Sequence, residues 1–145
     1  MNEETYERVE QTRTEEMPGA GATAFSALIS ISHRVPVAEV RGEVDLATVP
    51  QLLQAIGIAG SRLDGRPILA VDLRETEFLD VTGVSNLVEQ AQAMEGLGGE
   101  LRLVIPEAGP VARVFGLLGI EEILDLHHEL DLKPSTDEHS DEQAI

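Results

Sequence analysis

Apolar and polar residues follow two different periods along this chain, and each period predicts a different kind of element. Residues 25–32 (FSALISIS) and 35–40 (VPVAEV) are short β-prone runs that predict a hairpin, in which Pro36 pushes part of the second strand toward an edge. Residues 68–73 (ILAVDL) are nearly all apolar, which is typical of a strand covered on both faces, so we predict that they form the central strand. In residues 100–106 (ELRLVIP), Leu101, Leu103 and Ile105 recur at every second position, which predicts a further strand.

The segments between and after these strands have the apolar spacing of helices. The first predicted helix covers about 49–59 and begins behind a T-x-x-Q capping box at 48–51. The second covers about 84–94 and the third about 111–118, while 120–126 (IEEILDL) is expected to form a short final strand or helix. This order predicts an α/β fold, with a mixed β-sheet flanked by α-helices and right-handed crossovers.

Both ends of the chain are acidic and differ in composition from the middle. Residues 1–24 carry six acids against two arginines, and residues 131–145 carry five acids against one lysine. Because both segments are polar and low in aliphatic residues, we predict that they are disordered tails. The remaining segment, 25–130, is predicted to be a single domain, as expected for a chain of 145 residues.

The overall charge and the absence of cysteine exclude several classes of function. The formal net charge is −17, and the middle of the chain also has more acids than bases, so direct binding to nucleic acid is not expected. There is no cysteine, which excludes disulfides, thiolate metal sites and cysteine nucleophiles. Without a signal peptide or a run of eighteen apolar residues, we expect a soluble cytoplasmic protein that does not enter a membrane.

The residues that usually carry catalysis do not occur in the patterns that catalysis needs. No Walker-type or dinucleotide-binding glycine motif is present, and no serine stands in a G-x-S-x-G elbow. The histidines lack the spacing of metal ligands, so we predict no metal site and no cofactor. Acids near strand ends, such as Asp72, are typical of phosphoaspartate proteins, but the only lysine is Lys133, beside the tail. We therefore do not expect an enzyme.

The stretch Phe78 to Gly83 (FLDVTG) lies where an apolar strand passes into a helix. Asp80 or Thr82 could cap the free N–H groups of the helix start, and Gly83 could let another backbone come close. Ordinary capping explains these residue types, and so does a surface on which another protein docks. The residues alone leave both interpretations open.

Three longer stretches of the chain carry a resemblance to a known family. They are VRGEVDLATVPQL, ILAVDLRETEFLDVTGVSNLV and GGELRLVIPEAGPVARVFGLLGIEEIL, and together they resemble the STAS domain family, in particular the bacterial anti-sigma factor antagonists, over 25–130. The resemblance implies a STAS-like mixed sheet and a binding role without catalysis. The implied partner is an anti-sigma factor with a kinase-type ATP-binding fold, which would release its sigma factor and so regulate transcription. We also consider that two copies of this chain form a homodimer.

The family pattern at the strand-to-helix junction is Asp-Ser-Ser-Gly or Asp-Ser-Thr-Gly, and its first hydroxyl residue accepts the phosphate. The matching residues here are Asp80, Val81, Thr82 and Gly83, so valine replaces the phosphoacceptor. The resemblance therefore implies that the phosphorylation switch is absent or has moved to Thr82. The following residues are predicted to contact the partner: Gly42, Glu43, Asp45, Asp80, Val81, Thr82, Gly83 and Val84.

Two alternative functions are kept. A STAS scaffold or ligand-sensing module has no need of a phosphoacceptor, so Val81 suits it. A phosphoaspartate receiver or phosphatase would use Asp72, and it is the weaker alternative because the required lysine is missing.

Overall fold

A computed structural model describes residues 5–9, 25–120 and 123–130 of the chain. Over these residues it contains strands, numbered here in chain order, and three helices. The strands are β1 (Thr5–Val9), β2 (Ser26–Ser32), β3 (Val35–Val44), β4 (Ile68–Asp72), β5 (Thr76–Leu79), β6 (Glu100–Val104) and β7 (Asp125–His127). The helices are α1 (Val49–Gly60), α2 (Val81–Gly96) and α3 (Pro110–Leu118). None of these helices is both long and apolar enough to cross a membrane.

The strands form one mixed sheet, as predicted. Its order is β1-β2-β3-β4-β6-β7, and β5 pairs with the end of β3 beyond the point where β4 stops. The pairs β1–β2 and β2–β3 are antiparallel, whereas β3–β4, β3–β5, β4–β6 and β6–β7 are parallel. The carboxyl ends of the parallel strands, and the loops that follow them, therefore lie at the same end of the sheet.

The core is built from aliphatic side chains, which suits a chain with few aromatic residues. On one face of the sheet, Leu69, Val71 and Leu73 pack with buried residues of the helices, such as Leu52 and Leu87. On the other face, a smaller cluster consists of Val35, Val37, Ile68 and Ala70, against which Leu130 packs. All five residues of β4 are buried, so the prediction of a central strand is confirmed.

Pro36 lies in the part of β3 that pairs with β2 alone, so this part of an otherwise interior strand is at an edge, as predicted. The strand β3 lies between β2 on one side and β4 and β5 on the other. Proline is tolerated here because parallel pairing with β4 begins only at Val37, one residue further along. The missing N–H therefore does not interrupt that ladder.

One predicted boundary and one element differ from the structure. The second helix begins at Val81 rather than near residue 84, because Asp80 caps it ahead of its apolar stripe. Strand β5 was not predicted, since its burial runs buried, exposed, exposed, buried and does not alternate. For the final segment, where a strand or a helix was predicted, the structure has the strand β7.

The structure also differs from the prediction for the amino-terminal tail. Within the segment predicted to be disordered, Thr5–Val9 forms strand β1 and pairs antiparallel with β2. A sheet edge offers backbone donors and acceptors to any extended segment, so pairing does not require a hydrophobic pattern. The rest of residues 1–24, and the predicted tail 131–145, lie outside the described residues.

Candidate protein-docking site

The loop after β3 and the junction after β5 lie side by side because the two strands are parallel neighbours. Val44, the last residue of β3, pairs with Leu79, the last residue of β5. One residue further on, the Asp80 N–H donates a hydrogen bond to the Val44 carbonyl oxygen at 3.1 Å. The predicted contact residues of both segments are therefore brought together by a hydrogen bond between the strand ends.

Asp80 is the cap of helix α2. Its Oδ1 accepts a hydrogen bond from the Gly83 N–H at 2.9 Å, and its carbonyl oxygen accepts one from the Val84 N–H at 3.1 Å. Thr82 is already helical and does not serve as the cap; its carbonyl oxygen instead accepts from Asn86 Nδ2 at 2.9 Å. Of the two capping residues that the sequence proposed, the structure therefore assigns the role to Asp80.

Gly83 and Val84 face the interior of the protein. Gly83 is buried, and Val84 is 2% exposed. A Cβ atom at Gly83 would lie 2.5 Å from Leu79 Cδ1 and 2.9 Å from Val44 Cγ1. Glycine is therefore needed so that the helix start can approach the domain's own strands. The structure gives these two residues a role in packing, and their contact with a partner stays a prediction.

Gly42 is also a structural residue. It is buried, its φ angle is 91°, and the pairing of β3 with β5 shifts register between Gly42 and Glu43. Glycine adopts such a conformation without the steric cost that other residues pay. A bulge at this position lets β3 change partner from β4 to β5. Its contact with a partner stays a prediction, and Glu43 beside it is half-buried and reaches the surface.

The loop that follows β3 is held by Asp45 and Thr48. Asp45 Oδ1 accepts hydrogen bonds from the N–H groups of Ala47 and Thr48 at 3.0 and 3.1 Å. Thr48 Oγ1 donates to the Glu43 carbonyl oxygen at 2.9 Å. The predicted capping box is not formed, because the threonine hydroxyl turns back into the loop. The Asp45 carboxylate therefore fixes the shape of this loop.

Three apolar side chains are exposed around the hydrogen bond between Asp80 and Val44. Val81 is 59% exposed, Leu46 75% and Phe78 43%, and each lies within two residues of one end of that bond. Leu46 and Phe78 were not among the predicted contact residues. Sequence pattern gives little signal for them, since their exposure follows from a held loop and a four-residue strand. We call Leu46, Phe78, Asp80, Val81 and Thr82 the docking surface.

The charges around the docking surface are mostly negative. Glu75 and Glu77 are exposed on the β4–β5 connection and on β5, and Glu43 and Asp45 lie on the neighbouring segment. The nearby Arg74 is engaged, because its Nη2 and Nε donate to the two Asp72 carboxylate oxygens at 2.9 and 3.0 Å. That hydrogen bonding raises the pKa of Arg74. The surface therefore combines exposed apolar groups with a carboxylate rim.

The same ion pair bears on the phosphoaspartate alternative. Asp72 is 4% exposed and both of its carboxylate oxygens accept hydrogen bonds from Arg74, so neither oxygen is directed at an open site. Over the described ranges, no three His, Asp or Glu side chains are grouped so that they could hold a metal ion. This geometry gives Asp72 a structural role.

Comparison with known proteins places this fold and site in a family. A family model described as "Mlab, STAS domain" matches residues 27–126, which is most of the chain. The chain belongs to the STAS domain family. The fold of this STAS domain is thus the one that the sequence resemblance implied, and no curated protein matches it in sequence.

Solved structures of anti-sigma factor antagonists are similar to this STAS domain. The crystal structure of such an antagonist from Mycobacterium paratuberculosis has 29% sequence identity and a TM-score of 0.62, covering 74% of this chain and 89% of that chain. The antagonist SpoIIAA in its unphosphorylated form has 17% identity and a TM-score of 0.50, covering 83% of this chain and 97% of that one. The second similarity shows the fold alone.

Proposed function

We propose that this STAS domain is an anti-sigma factor antagonist. Its docking surface binds an anti-sigma factor with a kinase-type ATP-binding fold and causes the release of the sigma factor. The observation that carries this proposal is the exposure of Val81, 59%, at the capped start of α2, between exposed Leu46 and Phe78. The similarity to the mycobacterial antagonist supports the same role.

The chemistry of the docking surface is suited to binding and offers no catalytic group. Burying a valine side chain contributes up to about 1.5 kcal/mol, and the leucine and phenylalanine beside it add comparable amounts. Because carboxylates surround these side chains, the complementary partner surface is an apolar patch with a basic rim. The role therefore requires no bond-making by this domain.

Docking at this surface is not switched through position 81, because valine has no hydroxyl group to phosphorylate. Thr82 is the one hydroxyl residue among Asp80, Val81, Thr82 and Gly83, and it is half-buried. Either docking is constitutive, or a phosphate on Thr82 controls it. Incubation with the partner kinase and ATP, followed by mapping of phosphosites by mass spectrometry, distinguishes the two. Phosphate on a residue other than Thr82 would count against the second.

The docking surface is tested by one charged substitution and a matched control. In Val81→Glu, partner contact would bury an unpaired carboxylate, so affinity for the anti-sigma factor should fall roughly tenfold or more. The control is Leu97→Glu, since Leu97 is 88% exposed at the opposite end of the same helix. Isothermal titration calorimetry should find wild-type affinity for the control.

Two results of this experiment would refute the proposal. If Val81→Glu binds as tightly as the wild type, the docking surface is elsewhere. If the wild-type protein binds none of the kinase-type anti-sigma factors of its own cell, the antagonist role is wrong. The second result would favour the STAS scaffold or ligand-sensing module.

A further inference from the structure

A groove opens at the end of the molecule opposite the docking surface. It lies between the carboxyl-terminal ends of α1 and α2 and the starts of β4 and β6, and its volume is about 420 Å³. Its walls are mainly apolar and are formed by Ile56, Leu63, Leu69, Met94 and Leu97. Both its size and its composition are those of sites that bind small molecules.

Gly57, inside helix α1, and Gly60, its last residue, keep this groove open. Gly57 and Gly60 line it, and a Cβ atom at either position would have no other atom within 4 Å. Neither has a positive φ angle, so the backbone does not require glycine there. Glycine lowers the stability of a helix interior, and no close approach by another described residue explains its presence. What the two glycines provide is space in the groove.

The groove also contains a cation that has no partner among the described residues. Arg66 is half-buried in the lining, and its guanidinium group forms neither an ion pair nor a hydrogen bond with any residue that the structure describes. In contrast, Arg41 and Arg74 each donate to a carboxylate. A guanidinium at the edge of an apolar groove is suited to bind a carboxylate or phosphate through charge-assisted hydrogen bonds.

We propose that this groove binds an anionic amphiphile, namely a medium-chain fatty carboxylate. Its alkyl chain lies against Leu63, Met94 and Leu97, whose side chains reach the groove surface, and its carboxylate accepts hydrogen bonds from Arg66. The site is separate from the docking surface, because α2 carries Val81 at its first residue and Met94 near its last. The proposal therefore does not depend on the identity of a protein partner.

Titration of the 15N-labelled full chain with decanoate, below its micellar concentration, tests this proposal. The amide resonances of Gly57, Gly60, Gly98 and Gly99 should shift and saturate, since these residues line the groove. The amides of Gly116 and Gly119, in and after α3, should not shift. Absence of any saturable shift up to millimolar decanoate would overturn the proposal, and so would equal shifts at all six glycines, which indicate detergent-like adsorption.

Two substitutions separate binding in the groove from adsorption elsewhere. Gly57→Leu places a side chain in the groove and should weaken decanoate binding at least tenfold. Gly116→Leu is the matched control, because Gly116 is also a helical glycine with no atom within 4 Å of an added Cβ, and it should bind as the wild type does. Circular dichroism checks that both variants fold. Equal affinity of the two variants would refute the proposed site.

The role of Arg66 is tested through the charge of the ligand. Arg66→Gln should weaken decanoate binding roughly tenfold, because a charge-assisted hydrogen bond is lost. The same variant should bind neutral decanol with unchanged affinity. Unchanged decanoate affinity in Arg66→Gln would exclude recognition of an anionic head group by this residue.

Discussion

Val81 occupies the position that accepts the phosphate in the family pattern, and we expect that it can be changed without disturbing the fold. Its side chain is 59% exposed, and the cap of α2 depends on the neighbouring Asp80. Val81→Ser restores the Asp-Ser-Thr-Gly pattern. We expect the partner kinase to phosphorylate this variant at residue 81, and we expect the phosphorylated form to bind the anti-sigma factor at least tenfold more weakly, since a dianion is then buried at the interface.

The measurement is a phosphorylation time course followed by calorimetry on the separated forms. Val81→Ala is the control, because it also shortens the side chain but offers no hydroxyl group. If the serine variant is phosphorylated and still binds like the unphosphorylated form, the start of α2 does not contact the partner.

Gly83 is expected to matter for stability and not for recognition. In Gly83→Ala the new methyl group would lie 2.5 Å from Leu79 Cδ1 and 2.9 Å from Val44 Cγ1, so the start of α2 must move or those side chains must shift. We expect a loss of about 1–3 kcal/mol in the free energy of unfolding, measured with urea. Gly57→Ala, where the added methyl has open space, should instead gain about 0.5–1 kcal/mol. Equal stability of the two variants would contradict the close approach.

The prediction of single residues succeeded for the local cap of α2, but it failed for the equally local capping box at 48–51 and for features that depend on distant segments. The cap at Asp80 follows from the neighbouring sequence, and the structure contains it. The burial of Val84 follows from the helical spacing, whereas the burial of Gly42 was not foreseen, because it depends on strand pairing between segments that are distant in sequence. The exposure of Leu46 and Phe78 was missed for the same reason.

At the scale of elements, a cluster of charged side chains links the neighbouring strands β6 and β7, and it predicts that stability depends on pH. Arg102 is 6% exposed and bonds to Glu100 at 3.2 Å and Asp125 at 3.5 Å. The hydrogen bond with Asp125, together with burial, raises the pKa of Glu100. Burial alone would raise the pKa of Asp125. Its hydrogen bonds with Glu100 and His127 outweigh this effect, so the pKa is lowered.

A carboxyl group whose pKa is raised by folding stabilises the protein at low pH and loses that contribution as the pH rises through the raised value. The pH range over which Glu100 loses this stabilising contribution therefore begins at its ordinary pKa of 4.5 and extends to higher pH. Glu100→Gln keeps a neutral side chain at every pH. We expect the variant to gain a few tenths of a kcal/mol relative to the wild type at pH 7, since the group is partly exposed.

Melting curves of both proteins at pH 4 and pH 7 measure this effect. The difference in melting temperature, variant minus wild type, should be more positive at pH 7. Arg41→Gln serves as a control for a charge change at an exposed pair, since Arg41 bonds to Glu39 near the protein surface. A difference that is constant with pH, or larger at pH 4, would contradict the assignment of Glu100.

The elements also show which part of the fold can be predicted from sequence. The three helices follow from periodicity, because each buries a regular set of side chains, and β4 follows from its unbroken apolar run. Strand β6 was predicted from alternation, although four of its five residues are buried. Strand β5 does not follow from periodicity, since it is only four residues long. It is fixed by contacts distant in sequence: the Thr76 hydroxyl donates to the Val40 carbonyl oxygen at 2.8 Å.

At the scale of the whole molecule, the docking surface exists only because β3 changes partner. Its first half pairs with β4 and its end pairs with β5, which carries the junction next to the β3–α1 loop. A resemblance between sequences can indicate that both segments belong to one surface. Periodicity cannot, because it describes each segment separately.

The net charge of −17 predicts that salt stabilises this protein. Like charges repel one another more strongly in the compact state, and added salt screens this repulsion between exposed groups beyond about 8–10 Å. Ion pairs such as that between Arg74 and Asp72 are also weakened by salt, but this pair is largely shielded, since Asp72 is only 4% exposed. We therefore expect repulsion to dominate the response.

Melting curves in 10 mM and 500 mM sodium chloride measure this balance. We expect the melting temperature to rise by a few degrees, which corresponds to about 1 kcal/mol for a domain of this size. Sucrose at matched osmolality is the control, because it favours the compact state without screening charge. A melting temperature that falls with salt would mean that attractive pairs outweigh the repulsion. The carboxylate rim of the docking surface would then not add measurably to the cost of folding, and its acidic character would bear mainly on the choice of partner.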